Sequence, residues 1–237
     1  MPKTAKTYIA LVILSGAALL AFAAASWPAL GLRQFAIYCG LAALASTLKV
    51  RIPGMEGTVS PNFVFLLLAM TACSFSEVVV ISLVAALVQS LWAVAKRPRL
   101  VQVAFSAATL VVSSAAAYWL SHLFTAPGMG TAGDSSVPFV LLAGSVYFPL
   151  NSVMVSIVVG LVSQQPFRQV MARCYEWVFR HFMGGILFAA LISSAYVPAM
   201  AWKGALVLLP AVVLAFSYYR NRSVRTFGLS SSQAAAD

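Results

Sequence analysis

Residues able to perform acid–base, nucleophilic or metal chemistry are scarce in this chain and stand far apart. The acids are Glu56, Glu77, Asp134, Glu176 and Asp237, and the histidines are His122 and His181. A catalytic zinc or iron needs about three clustered ligands, and a nucleophilic triad needs a base beside its nucleophile. Neither can be assembled from this inventory, and no glycine-rich phosphate loop is present. Cys39, Cys73 and Cys174 are too widely spaced for a metal motif and read as reduced, small apolar residues. The expectation is therefore no catalytic residue, no metal, no cofactor and no enzyme. What does recur at helical spacing is neutral and polar. Gln102, Ser106, Thr109 and Ser113 share one helix face, as do Ser145, Ser152, Ser156, Gly160 and Ser163, with Tyr147, Pro149 and Asn151 beside them. Ser82 and Gln89 lie two turns apart. Two readings stand. The stripes are seams where small residues let helices pack closely, or Gln89, Ser106, Tyr147 and Asn151 line a ligand pocket opening outward. Asn151 leads that set, because Pro149 frees backbone groups that an amide can satisfy. Arg33 and Glu77, near the outer ends of two helices, are a candidate ion pair or ligand contact, although snorkelling to water also explains Arg33. His122 reads as an interfacial residue.

The elements carrying these residues are set by composition. Charged residues make up 8% of the chain and hydrophobic ones 62%, against roughly 25% and 45–50% in a soluble domain. So few charges cannot cover a water-facing surface, and lipid must be the solvent for most side chains. The net charge of +10 then reads as topology anchors facing anionic lipid, not as a nucleic-acid footprint.

A span needs about 20 apolar residues. The first candidate covers residues 8–26; Ala23-Ala24-Ala25 resembles a signal-peptide cleavage site, but the apolar run exceeds a signal core, so a retained helix is expected. The second covers 32–48 and is followed by the turn-rich segment 52–62. The apolar stretch 63–95 is too long for one span, and Ser74-Phe75-Ser76-Glu77 offers a helix start inside it. Splitting there gives a short third helix, 61–75, and a fourth, 77–95. The fifth covers 101–124 and the sixth 138–163, kinked or unwound at Pro149. Residues 165–182 read as an amphipathic helix on the cytoplasmic surface, ahead of spans 183–200 and 204–219. The membrane domain is thus 1–219, followed by a basic, then Ser/Ala-rich tail, 220–237, expected to be disordered. With the amino terminus inside, Lys3, Lys6, Lys49, Arg51, Lys96, Arg97, Arg99, Arg168, Arg173, Arg180, Arg220, Arg222 and Arg225 all face the cytoplasm. Only Arg33 and Lys203 remain outside. This asymmetry predicts an all-α bundle of about eight transmembrane helices, multi-pass in the cell inner membrane, with both termini cytoplasmic.

Several short motifs, in order, carry a resemblance. They are Lys49-Val50-Arg51-Ile52-Pro53-Gly54 with 57–63 and the apolar 65–72, then Val103-Ala104-Phe105-Ser106-Ala107-Ala108. Val146-Tyr147-Phe148, Asn151-Ser152, Pro166-Phe167-Arg168 with the aromatic stretch to Trp177, and Leu208-Leu209-Pro210 with Tyr218-Tyr219-Arg220 follow. Over residues 48–220 the chain resembles the multi-helix membrane domain that forms the amino-terminal half of bacterial HD-GYP and GGDEF signalling proteins. Two departures matter. That domain often has asparagine where this chain has Ser106, and those proteins continue into a cytoplasmic enzyme, whereas no cyclic-dinucleotide chemistry is expected of a chain ending at Asp237. At the level of fold, the chain is also similar to substrate-binding subunits of energy-coupling-factor transporters. The resemblance implies a stand-alone sensory or small-molecule-binding module acting through a cytoplasmic or membrane protein partner. A substrate-binding permease subunit or small transporter, and an accessory subunit of a larger complex, are the alternatives. Ligand uptake would mark the transporter; a cytoplasmic partner would mark the sensor. No nucleic-acid partner is expected.

Overall fold

The computed structural model describes residues 1–27, 32–51, 58–94, 97–125 and 137–195. Among them are seven α-helices and one minimal β ladder. Helix α1 is Lys3–Ala25 and α2 is Leu32–Thr47. The strands β1, Val50–Arg51, and β2, Thr58–Val59, pair antiparallel, Val50 opposite Val59. Helices α3, Asn62–Ala72, α4, Phe75–Leu91, α5, Leu100–Phe124, α6, Val137–Ser163, and α7, Phe167–Ala195, complete the order. By length and composition α1, α5 and α6 can cross a membrane, while α3, α4 and the stretch Phe182–Ser193 are shorter apolar helices. The predicted span 204–219, the tail and the loop around Asp134 lie outside the described residues.

The helix ends sort into two groups. At one end Ser26, just past α1, bonds Ser76 at the start of α4, with hydroxyl oxygens 3.1 Å apart. Phe75 packs edge-on against Phe22 and Tyr118, and His122 lies against Phe139. At the other end Tyr8 Oη donates to the Met154 carbonyl (3.2 Å), and Lys49 Nζ donates to the Trp92 carbonyl. Consecutive helices therefore alternate in direction. Side chains such as Leu11, Leu14, Phe22, Leu44, Leu123, Leu187 and Leu191 are exposed around the bundle. Apolar surface on that scale suits hydrocarbon, not water.

Helix α3 is the exception to this lipid-facing pattern. Every residue from Asn62 to Met70 is buried, enclosed by α2, α4, α6 and α7. Its 11 residues span about 16 Å, about half of the roughly 30 Å hydrocarbon core. A helix with no polar face can sit only inside protein or lipid, and one this short cannot cross the lipid. The break before α4 falls at Cys73–Ser74. Ser74 is the N-cap, its hydroxyl accepting from the Glu77 amide, while Glu77 Oε2 accepts from the Ser74 amide at 2.7 Å. This reciprocal box satisfies donors that a buried helix start would leave orphaned. The anticipated break is thus found, a residue or two earlier than expected.

Two expectations need correction. Residues 165–182 and the span from 183 do not form separate helices: α7 runs unbroken from Phe167 to Ala195. A change in side-chain polarity does not interrupt backbone hydrogen bonding, and neither proline nor a capping residue intervenes. The polar half also does not lie apart from the bundle. It runs back along α6, with Ser156 Oγ 3.4 Å from Met171 Sδ and Val170 buried. Second, of the two forms expected at Pro149, unwinding is not found: α6 is helical through it.

Three glycines let helices meet. A Cβ on Gly16 of α1 would lie 2.7 Å from Ala108 Cβ and 2.8 Å from its Cα on α5. Gly144 of α6 faces Ile186 of α7, and Gly185 faces the Phe63 ring. Phe182 stands at the centre of that packing, stacked on Phe63 at 4.1 Å and close to Phe148 at 4.7 Å.

Candidate functional site

Among the described residues, a connected polar group lies where α3 begins. Pro61 starts the turn, and Asn62 is the first residue of α3, so its amide projects from a helix end into the bundle. Asn62 Nδ2 donates to Ser46 Oγ on α2 and to Gln89 Oε1 on α4, both at 3.0 Å. Ser60 Oγ donates to the same Gln89 oxygen at 3.1 Å, and Ser46 Oγ donates back to the Ala42 carbonyl at 2.7 Å. Ser46, Ser60 and Asn62 are buried. In a low-dielectric interior such a network is strong when satisfied and costly when broken. It contains no group that exchanges a proton near neutral pH. Its chemistry is therefore that of a joint: it fixes the end of a half-length helix to two neighbours.

Just outside the joint, Lys49 reaches the carbonyl that closes α4. Burial pushes its ammonium below the usual lysine range. At the far end of α4 the Glu77 carboxylate is buried, and its Oε2 also accepts from Ser74 Oγ at 2.9 Å. Arg33 is exposed at the start of α2.

The four residues expected to line a pocket occupy different settings. Gln89 belongs to the joint. Ser106 is half-buried on α5, and its carbonyl accepts from Thr109 Oγ1. Tyr147 is buried, its ring 6.2 Å from Phe182 in a near-parallel stack. Asn151 is half-buried, and its Oδ1 is enclosed without a hydrogen-bond partner. A cavity of about 200 Å³ is lined by Ile157, Gly160, Leu161, Gln165 and Phe167. A second, of about 480 Å³, is lined by Leu91, Ala93, Val94, Arg97, Pro98 and Leu100. Neither contains any of the four. His122 is exposed, stacked on Tyr118 at 4.0 Å, with Nδ1 2.9 Å from the Tyr118 carbonyl. Cys39 and Cys73 are free thiols. Among the described residues, no group of three His, Cys, Asp or Glu could hold a metal ion.

Ser46, Ser60 and Asn62 escape a reading by helical stripes because no two of them lie on the same helix. A usable signal exists nonetheless. Asn62 opens a run, Phe63 to Met70, without a polar side chain; a helix so uniformly apolar and so short must be enclosed, and a polar residue at its buried end must find protein partners.

Compared with known families, residues 7–222 match the family model described as MASE9. MASE domains are membrane-associated sensory domains. Comparison with curated proteins and with solved structures gives no match.

Proposed function

The chain belongs to the MASE9 family, and on that premise we propose that it is a membrane-embedded sensory module with no catalysis of its own. In this reading about eight helices cross the cell inner membrane, with both termini in the cytoplasm. A small molecule is sensed within the bundle, and a protein partner on the cytoplasmic side receives the signal. The observation that carries the reading is the family match over residues 7–222. The enclosed α3 supports it. A short, wholly buried helix whose end is tied to two neighbours by hydrogen bonds is, in this reading, the element whose position a bound ligand would bias.

Asn151 is the ligand contact this reading favours, since an enclosed acceptor without a partner gains from a ligand donor what the protein does not supply. The test joins a cyclic-dinucleotide synthase reporter to the carboxyl end and follows its product while cells are exposed to a metabolite library. A sensory module changes product level with one class of compound, and Asn62→Leu shifts the level without ligand. If labelled compound accumulates in the cells while product stays constant for the wild type and for Asn62→Leu, the chain is a carrier and the sensory reading fails.

A further inference from the structure

We propose that the groove between the end of α4 and the start of α5 binds an anionic phospholipid of the cytoplasmic leaflet, with Arg97 holding the headgroup phosphate. The inference rests on the membrane reading above and on three observations at this edge of the bundle.

The first is space. The groove is an open cleft of about 480 Å³, within the usual range for a small ligand. Its described walls are the end of α4 at Leu91 with Ala93, in the left-handed region at φ 44°, on one side, and Arg97 and Pro98 leading to Leu100 at the start of α5 on the other.

The second is depth. Leu100 is 87% exposed and Leu91 56%, a surface that belongs in hydrocarbon. Arg97 is exposed only three residues before Leu100, and an arginine belongs at the phosphate level. Trp92, 57% exposed, is the residue type that marks the boundary between the two. The groove therefore straddles that boundary, apolar on the Leu91, Val94 and Leu100 side and cationic at Arg97. An anionic phospholipid has this same order of groups along its length.

The third is charge. Among the described residues the lining contains no acid, Lys49 already reaches the Trp92 carbonyl beside it, and Glu77 sits at the opposite end of α4. An arginine fork matches a phosphodiester in shape as well as sign, whereas a choline headgroup would bring its own cation to the same place.

Native mass spectrometry of the full chain released from mixed vesicles tests this. The wild type should retain phosphatidylglycerol over phosphatidylcholine, and excess inorganic phosphate should not displace it, because the acyl chains hold the lipid too. Arg97→Gln should lower retention about tenfold, and Arg97→Lys should restore part of it. Val94→Trp, which fills the groove and keeps every charge, should lower retention as much. Arg168→Gln, an exposed arginine elsewhere on the same side, should change nothing. Equal retention of the two lipids, an equal loss with Arg168→Gln, or no loss with Val94→Trp would each overturn the site. Displacement by inorganic phosphate would overturn it in favour of a free-phosphate site. Any of these would leave the sensory reading standing, since that reading is tested by the reporter's response to a metabolite and not by lipid retention.

Discussion

Asn62 and Asn151 are both amides inside the bundle, yet their replacement should have opposite effects. Asn62 serves two acceptors, Ser46 Oγ and Gln89 Oε1. Asn62→Leu strips both of that donor and should lower stability by about 1–2 kcal/mol, the scale of a buried hydrogen bond lost inside a membrane protein. Thermal unfolding in detergent reads this directly. In a double-mutant cycle with Gln89→Leu the two losses should fail to add, with a coupling of about 0.5–1.5 kcal/mol; additive losses would mean the joint is not a unit. Asn151 has an enclosed oxygen with no partner. Asn151→Leu should leave the ligand-free protein as stable as before, or more so, because an unsatisfied acceptor is removed. It should also abolish stabilisation by whatever compound drives the reporter. A large drop in melting temperature without ligand would make Asn151 structural.

Between elements, a capping box and a glycine contact make separate predictions. Ser74→Ala removes the N-cap of α4 and should cost about 1 kcal/mol. Gly16→Ala places a methyl 2.7 Å from Ala108 Cβ and 2.8 Å from Ala108 Cα. The obstacle includes backbone, so α1 must move off α5. A loss of about 1–3 kcal/mol is expected, together with higher reactivity of a cysteine placed at Val12, a residue now buried against α5. At this scale the sequence was legible wherever a local signal was strong. Ser74 and Glu77 announced the break between α3 and α4 because the box that caps a helix is written in adjacent residues. The unbroken α7 was not legible, because the shift from Arg168 and Glu176 to an apolar run looks like a boundary although the backbone crosses it freely. The joint was only partly legible. Gln89 stood on a stripe, while Ser46, Ser60 and Asn62 come from three places in the chain and are partners only after α2, α3 and α4 have packed. The four-residue pocket extrapolated helical register across helices. Register fixes which residues share a face, but it does not fix which faces meet.

For the whole molecule, the two groups of helix ends agree with the charge asymmetry. Tyr8 near the amino terminus, Lys49, Trp92 and Met154 mark one end, and Phe22, Phe75, Tyr118 and Phe139 mark the other. Single cysteines at Thr4 and Ser231, in a background without native cysteines, should react with an impermeant thiol reagent only after cells are opened. A cysteine at Gly130 should react in intact cells. Labelling of Ser231 but not Gly130 in intact cells would reverse the topology. The continuous α7 adds something that charge counting does not contain. Its 29 residues make a rod of about 43 Å, pinned near Gly185 where that glycine abuts Phe63, one residue from the amide that anchors α3. From there to Phe167 is about 27 Å of helix, packed along α6, where Ser156 meets Met171. A disturbance of the Phe63 ring inside the bundle would therefore reach the opposite end only by carrying α6 along with α7.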